Sequence, residues 1–215
     1  MKIVKQKVEY VNHMGSDLSI VNAARVSFNK ISDILTDGDS KLIEYLAKHN
    51  HWTPFAHTSI SLRVKCPIFV ARQLGKHQVG LVWNEVSRRY VDDEPEFFFP
   101  DEWRGRPVNA KQGSDGTMGG TFGEELTIHL AESIKLALMT YTMLIDGGVA
   151  PEQARMVLPQ NTMTEFIWTG SLAAFSRIYK LRIDPHAQKE VQDIAVMMDE
   201  IIKPLFPVGW KALND

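Results

Sequence analysis

Between Thr58 and Leu74 the hydrophobic period switches from that of a strand to that of a helix, and this limits the fold more than any other feature. Ile60, Leu62 and Val64 alternate with Ser59, Ser61 and Arg63, as in a strand with one buried face. Pro67 follows. Proline suits the first turn of a helix because the N–H it lacks has no partner there. Ile68, Phe69, Val70, Ala71 and Leu74 then give that helix its inward side. Sheet and helix are therefore built together in this chain.

The remaining segments extend the pattern. Ile3 to Val11 reads as a strand. Asp17 is expected to cap a short helix through Ile20, Val21 and Ala24, and Asp39 or Ser40 a second one carrying Leu42, Ile43, Tyr45 and Leu46. Arg104 to Gly120 holds Gly105, Gly113, Gly116, Gly119 and Gly120 and reads as a Gly-rich loop. Phe122 to Ile145 is the longest helical pattern, stopped by Gly147-Gly148. Pro151 opens a short helix that includes Arg155. Thr162 to Thr169 reads as strand or extended chain, and Leu172–Leu181 and His186–Ile202 as helices. With neither a repeat nor a clean linker, the expectation is one mixed α+β domain over residues 1–215.

The formal charge of −2 over 215 residues argues against a long nucleic acid as partner. Any phosphate site must be local, built from a few arginines. One cysteine, Cys66, permits neither an internal disulfide nor a cysteine metal cluster and suits a reducing compartment. The start MKIVKQKVEYVN lacks the apolar run of a signal peptide. No stretch approaches 18 consecutive apolar residues, so no membrane span is expected and the cytoplasm is the default location. His49, His51 and His57 lack the carboxylate or cysteine companions of a metal site, so no metal is expected.

Three segments carry site chemistry. Residues 72–90, RQLGKHQVGLVWNEVSRRY, mix cations with amides, hydroxyls and an aromatic ring where the chain leaves an apolar helix. Arginine forks can hold phosphate oxygens in paired bonds, and amides can read the edge of a base; Gly75 and Gly80 would let backbone approach a ligand. A solvated helix end is the plain alternative. In PEQARMVLPQN, Arg155 is equally explicable as a structural ion-pair residue. In LRIDPHAQKE, Arg182 follows an apolar helix, and Asp184 is placed to cap the helix of His186 and Gln188. Cys66 fits a small core residue better than a nucleophile.

Taken together, MGSDLSIVNAARVSF (14–28), HWTPFAHTSISLRVKCPIFVARQ (51–73), NEVSRRY (84–90), ARMVLPQN and LRIDPHAQKEVQ resemble, in order, the flavin-dependent thymidylate synthases, the ThyX family. That resemblance implies a single α+β domain with a small β-sheet flanked by several helices. The chain departs from the family signature of Arg-His-Arg, seven residues and Ser. It has Lys76-His77-Gln78, eight residues and Ser87. Where the family often has Asn-x-Arg, Ser171-Leu172-Ala173 stands, and Arg177 falls where an Asn is frequent.

The resemblance further implies reductive methylation of dUMP to dTMP with FAD as cofactor and NADPH and 5,10-methylenetetrahydrofolate as co-substrates, in a homotetramer with shared sites. Gln73, Lys76, Glu85, Ser87, Arg88, Arg89, Arg155 and Arg182 would contact dUMP, with Tyr90 shaping the pocket. Arg182 would be the catalytic residue, its cation favouring ionisation of the uracil at N3. Ser27, His51, Thr53, Lys76, His77, Gln78, Glu85, Ser171, Arg177 and His186 would lie along FAD. Cys66 is poorly placed for the cysteine adduct of classical thymidylate synthases, and Ser87 has no evident base, which suits it as a ligand. The competing readings are a uracil methylase acting on RNA and a non-catalytic flavin- or nucleotide-binding relative.

Overall fold

The computed structural model describes residues 1–108 and 113–215. In chain order the elements begin with β1 (Lys2–Ile3), β2 (Lys7–Met14), α1 (Asp17–Arg25) and a 3-10 turn (Val26–Phe28). Next are α2 (Asp37–Lys48), α3 (Thr53–Ala56), β3 (Ser59–Pro67), α4 (Ile68–Leu74), β4 (Leu81–Glu85) and β5 (Glu96–Phe97). Then come β6 (Arg104–Gly105), β7 (Asp115–Thr117), α5 (Gly120–Asp146), α6 (Pro151–Ala154) and a second 3-10 turn (Arg155–Val157). The last are β8 (Met163–Gly170), α7 (Leu172–Arg182), α8 (Lys189–Leu205) and α9 (Pro207–Asn214). This is the expected mixed α+β class. The largest sheet runs β2-β3-β8-β4, with β1-β5 and β6-β7 as two-stranded pairs. By contact the residues group into two compact units, one of residues 1–7, 65–75 and 85–166, the other of residues 8–64, 76–84 and 167–215.

In the first unit, Pro67 stands at the N-cap of α4. The helix's leading N–H groups lack intrahelical partners. Ile68 N donates to the Thr162 carbonyl at 2.9 Å and Phe69 N to that of Gln160 at 3.2 Å. Phe97 is fully buried, and β1 pairs with β5 in parallel, Lys2 opposite Glu96. Phe98 and Asn161 exchange two bonds, backbone N to carbonyl and side-chain amide to carbonyl. Helix α5 packs on α6 and the adjoining 3-10 turn but keeps Phe122, Ile128, Leu136, Met139 and Met143 exposed. By length and composition alone α5 is long and apolar enough to cross a membrane, although it holds no stretch of 18 consecutive apolar residues.

In the second unit, Ile60, Leu62 and Val64 of β3 are all fully buried, as the alternation predicts. Trp168 of β8 meets Phe175 of α7 and Trp83 of β4 edge-on, at 5.5 and 5.7 Å between ring centres. Buried Thr58 accepts from Leu172 N at 3.1 Å and so fixes the start of α7. Helix α9 packs against α1 and α2.

Several local readings are corrected. The strand expected at Ile3–Val11 is two elements, β1 and β2. The caps of α1 and α2 are Ser16 and Thr36, not Asp17 and Asp39. Asp39 closes the α2 capping box by accepting from Thr36 N at 2.9 Å, and Asp17 turns inward. Part of the polar segment 72–90 is strand β4. The helix expected from His186 starts at Lys189, with Gln188 rather than Asp184 at its N-cap. Helix α9 was not foreseen. Arg104–Gly120 is not simply loop, because β6 and β7 pair antiparallel; its residues 109–112 lie outside those described.

Asp17 is 4% exposed and accepts from Val208 N at 2.9 Å and Gly209 N at 2.8 Å, the free donors that open α9. Burial pushes its carboxyl above the ordinary 3.8, more than the two N–H bonds pull it down. The folded state therefore holds the proton more tightly, and this residue's contribution to stability declines as pH rises through the folded value. Asp17→Ala strands two buried donors and is expected to cost about 2–3 kcal/mol. Urea melts should show the gap between wild type and variant narrowing as pH rises above the ordinary 3.8; a gap that widens would reverse the assigned sign.

Candidate functional site

The first unit holds a cavity of about 360 Å³ whose walls include Lys65, Glu85, Arg88, Arg155 and Thr164. Lys65 lies near the end of β3, Glu85 ends β4, Thr164 lies on β8, and Arg155 opens the 3-10 turn after α6. Glu85 accepts from the Thr164 hydroxyl at 2.6 Å. Arg88 donates Nη1 to the Asp93 carbonyl at 2.9 Å, and Arg155 donates Nε to the Glu152 carbonyl at 3.2 Å. Among the described residues neither guanidinium is answered by a carboxylate. Elsewhere the wall also carries Asp93, Glu94, Glu96 and Glu165. Glu96 bridges to both Lys2 and Lys65. Partial burial raises the Glu96 carboxyl, but those two lysines outweigh it and hold it below the usual range.

Beside the cavity, Ser87, Arg89 and Tyr90 form a small cluster of their own. Arg89 donates Nε to Ser87 Oγ at 3.2 Å, and its guanidinium lies 5.1 Å from the centre of the Tyr90 ring. None of the three is among the cavity's lining residues. Gln73, on α4, has a buried Oε1 with no hydrogen-bond partner among the described residues. Such a group normally has one.

The second unit builds a different cluster. Arg182, the last residue of α7, donates Nε to His77 Nε2 at 2.9 Å. Arg177, on the same helix, donates Nη2 to the Val79 carbonyl at 2.7 Å. The turn between them and the sheet is tight. Gly80 has a φ of +76°, and a side chain at Gly170 would lie 2.6 Å from Leu81 Cδ2 and 2.9 Å from the Gly80 carbonyl oxygen. Gly75 has an ordinary helical φ of −63°, so it is not there for conformational freedom. Burial, then Arg182 and Arg177, depress the His77 pKa. Burial also lowers that of Arg182, which stays a cation. Among the described residues no carboxylate pairs with either arginine.

The other expected flavin residues have separate local settings. Ser171 Oγ accepts from Ala174 N at 3.2 Å and caps α7. Asp184 accepts from the His186 backbone N at 2.7 Å and lies 3.0 Å from its ring Nδ1; these bonds hold the Asp184 carboxyl below its usual range. His51 sits near Tyr45, ring centres 6.2 Å apart. Thr53 starts α3, and Ser27 lies in the 3-10 turn after α1. Lys76 and Gln78 are exposed, with no side-chain partner among the described residues. Thr164 and Lys65 were not foreseen; the signal for both was their place on the non-core side of strands.

A family described as "Thymidylate synthase complementing protein" matches residues 9–208. A flavin-dependent thymidylate synthase from Thermus thermophilus is 39% identical over 208 residues, covering 97% of this chain and 75% of that protein. One from Thermosipho africanus is 38% identical over 203 residues, covering 94% and 88%. Among solved structures, a UMP/dUMP methylase PolB from Streptomyces cacaoi bound with 5-Br dUMP superposes with a TM-score of 0.86 at 31% identity. It covers 100% of this chain and 97% of that one. The same methylase bound with 5-Br UMP gives 0.87 at 30% identity.

Cys66 is fully buried. Burial, with a smaller push from Glu85, raises its thiol far above the usual range, and only a thiolate reacts readily. Iodoacetamide is expected to leave Cys66 unmodified in the native protein and to label it in urea. Native labelling at the rate of a free thiol would contradict the burial.

Proposed function

The chain belongs to the thymidylate synthase complementing family, and from that premise we propose how its residues carry out the flavin-dependent methylation of dUMP. The observation that carries the assignment of the nucleotide site is the pairing of Arg88 and Arg155 in one cavity, both anchored to backbone carbonyls and neither matched by a carboxylate. Anchored this way, a guanidinium keeps its other N–H groups for an anion, and the phosphate of dUMP supplies one. Glu85, oriented by Thr164, and Gln73 are the groups to accept or donate along the sugar and base. Ser87 and Arg89 add a hydroxyl and a further cation, and Tyr90 a ring face.

Arg182 is assigned to the uracil. A fixed cation beside N3 and the adjoining carbonyl oxygen stabilises negative charge that develops in the ring as C5 becomes nucleophilic. Cys66 takes no part in this reading. Its protonated, buried thiol supports a route without a cysteine adduct.

The flavin, when bound, supplies the reducing equivalents that turn the transferred one-carbon unit into a methyl group. The second unit fits FAD in kind. Arg177 and exposed Lys76 offer uncompensated positive charge for a diphosphate, and Ser27, His51, Thr53, His77, Gln78, Ser171 and His186 offer hydrogen-bonding groups; Glu85 is proposed as one more. Ser171 would bind through its remaining capacity, since one lone pair caps α7. NADPH and 5,10-methylenetetrahydrofolate are proposed as co-substrates, and the cytoplasm as the setting. The exposed apolar side of α5 is proposed to pack against another copy of the chain in a homotetramer with shared active sites.

Tritium release from C5-labelled dUMP should require FAD and methylenetetrahydrofolate together, with NADPH consumed in proportion; UMP is the competitor to test beside dUMP. Arg155→Ala is expected to weaken dUMP binding roughly 10–100-fold while leaving deoxyuridine within about twofold, because only the phosphate contact is lost. Calorimetry on the flavin-loaded protein reads both. An equal loss for nucleotide and nucleoside would remove Arg155 from the phosphate.

A further inference from the structure

The bond between Arg182 and His77 joins residues 105 positions apart in the chain at 2.9 Å. An arginine N–H can only donate, so His77 Nε2 must carry a lone pair in this geometry. The ring is then neutral with its proton on Nδ1. The charged groups that act on His77 are Arg182 and Arg177, both from α7, and no carboxylate among the described residues acts on it. Protonating His77 would delete the acceptor that Arg182 uses and place a third positive charge between two others.

We propose that His77 is a positioning residue for Arg182: its Nε2 fixes the guanidinium plane through Nε, leaving both terminal amino groups directed to an anion. This rests on the reading that Arg182 faces the uracil ring, and it gives His77 a task apart from contact with the flavin. Arg182 has no other hydrogen-bond partner among the described residues, so without His77 the side chain is free to rotate at the end of its helix. A misplaced charge loses most of its effect on a reaction centre even when overall charge is unchanged. The half-buried setting and the two arginines keep the ring in its accepting form below the pH at which an ordinary histidine protonates.

Two measurements test it. Nitrogen NMR of the free protein labelled in histidine should show His77 predominantly neutral and in the Nδ1–H tautomer at pH 6.5, where an ordinary histidine is half protonated, with that preference lost in Arg182→Ala. A protonated ring or an Nε2–H tautomer would overturn the proposal without reference to catalysis. The second is the pH profile of tritium release at saturating FAD. His77→Ala should lose about tenfold or more in kcat with dUMP affinity changed less than about threefold. His77→Gln, which returns an acceptor that does not titrate, should recover most of that loss. The wild-type profile should have an acid limb below the ordinary histidine value of 6.5, and His77→Gln should lack it.

If His77→Gln is as impaired as His77→Ala, or keeps the limb, the positioning role is wrong. The same holds if His77→Ala runs at the wild-type rate once FAD is supplied. Should His77→Ala fail to fold, the glutamine variant and the NMR decide. An Arg182→Ala enzyme with full kcat would instead sink the assignment of Arg182 to the uracil, and the tautomer measurement would still report whether His77 holds it.

Discussion

Everything on the first unit's cavity side is referred to the junction at Cys66-Pro67. Proline ends β3, frees the next residues to turn into α4, and brings their N–H groups onto the carbonyls of Gln160 and Thr162. Those two carbonyls belong to the segment that connects the Arg155 turn to β8. One proline-directed turn therefore sets the register between α4, which carries Gln73, and the strand that carries Thr164. The buried Cys66 is part of the same joint, which explains a thiol with no chemistry. It fills space where a larger side chain would separate strand from helix.

The two arginine groups show how this protein prepares for anions. A surface arginine is usually paired or fully hydrated. Here Arg88, Arg155, Arg177 and Arg182 each spend one N–H on a carbonyl or an imidazole and form no ion pair with a carboxylate among the described residues. That arrangement orients the guanidinium at little electrostatic cost to its remaining charge. In the departed signature, Lys76 and Gln78 stand where the family has arginines, and Arg177 stands where it often has asparagine.

Much of the architecture was legible because it rests on periodicity. The β3 alternation, the α4 start at Pro67 and the stop of α5 at Gly147 follow from local pattern, and the structure has them all. What failed depends on partners far along the chain. Asp17 looks like a helix cap, but its carboxylate is taken by residues near position 208. Strand β4 was hidden because its five residues, Leu81–Glu85, lie within a polar segment and are too few for the alternation to register. Helix α9 is too short and too mixed to announce itself without α1 and α2 beside it. At the site, arginine content was readable, but the bond from Arg182 to His77 and the hydroxyl of Thr164 under Glu85 have no local signal.

The attachment of α9 to Asp17 spans 191 positions. A chain emerging from the ribosome makes α1 early and then holds its acceptor unused until the residues of α9 have been synthesised. The second unit cannot close before then, and contacts of such long range slow closure further. Until then the surface of α1 meant for α9 stays bare, leaving the nascent unit dependent on α9 for protection from association.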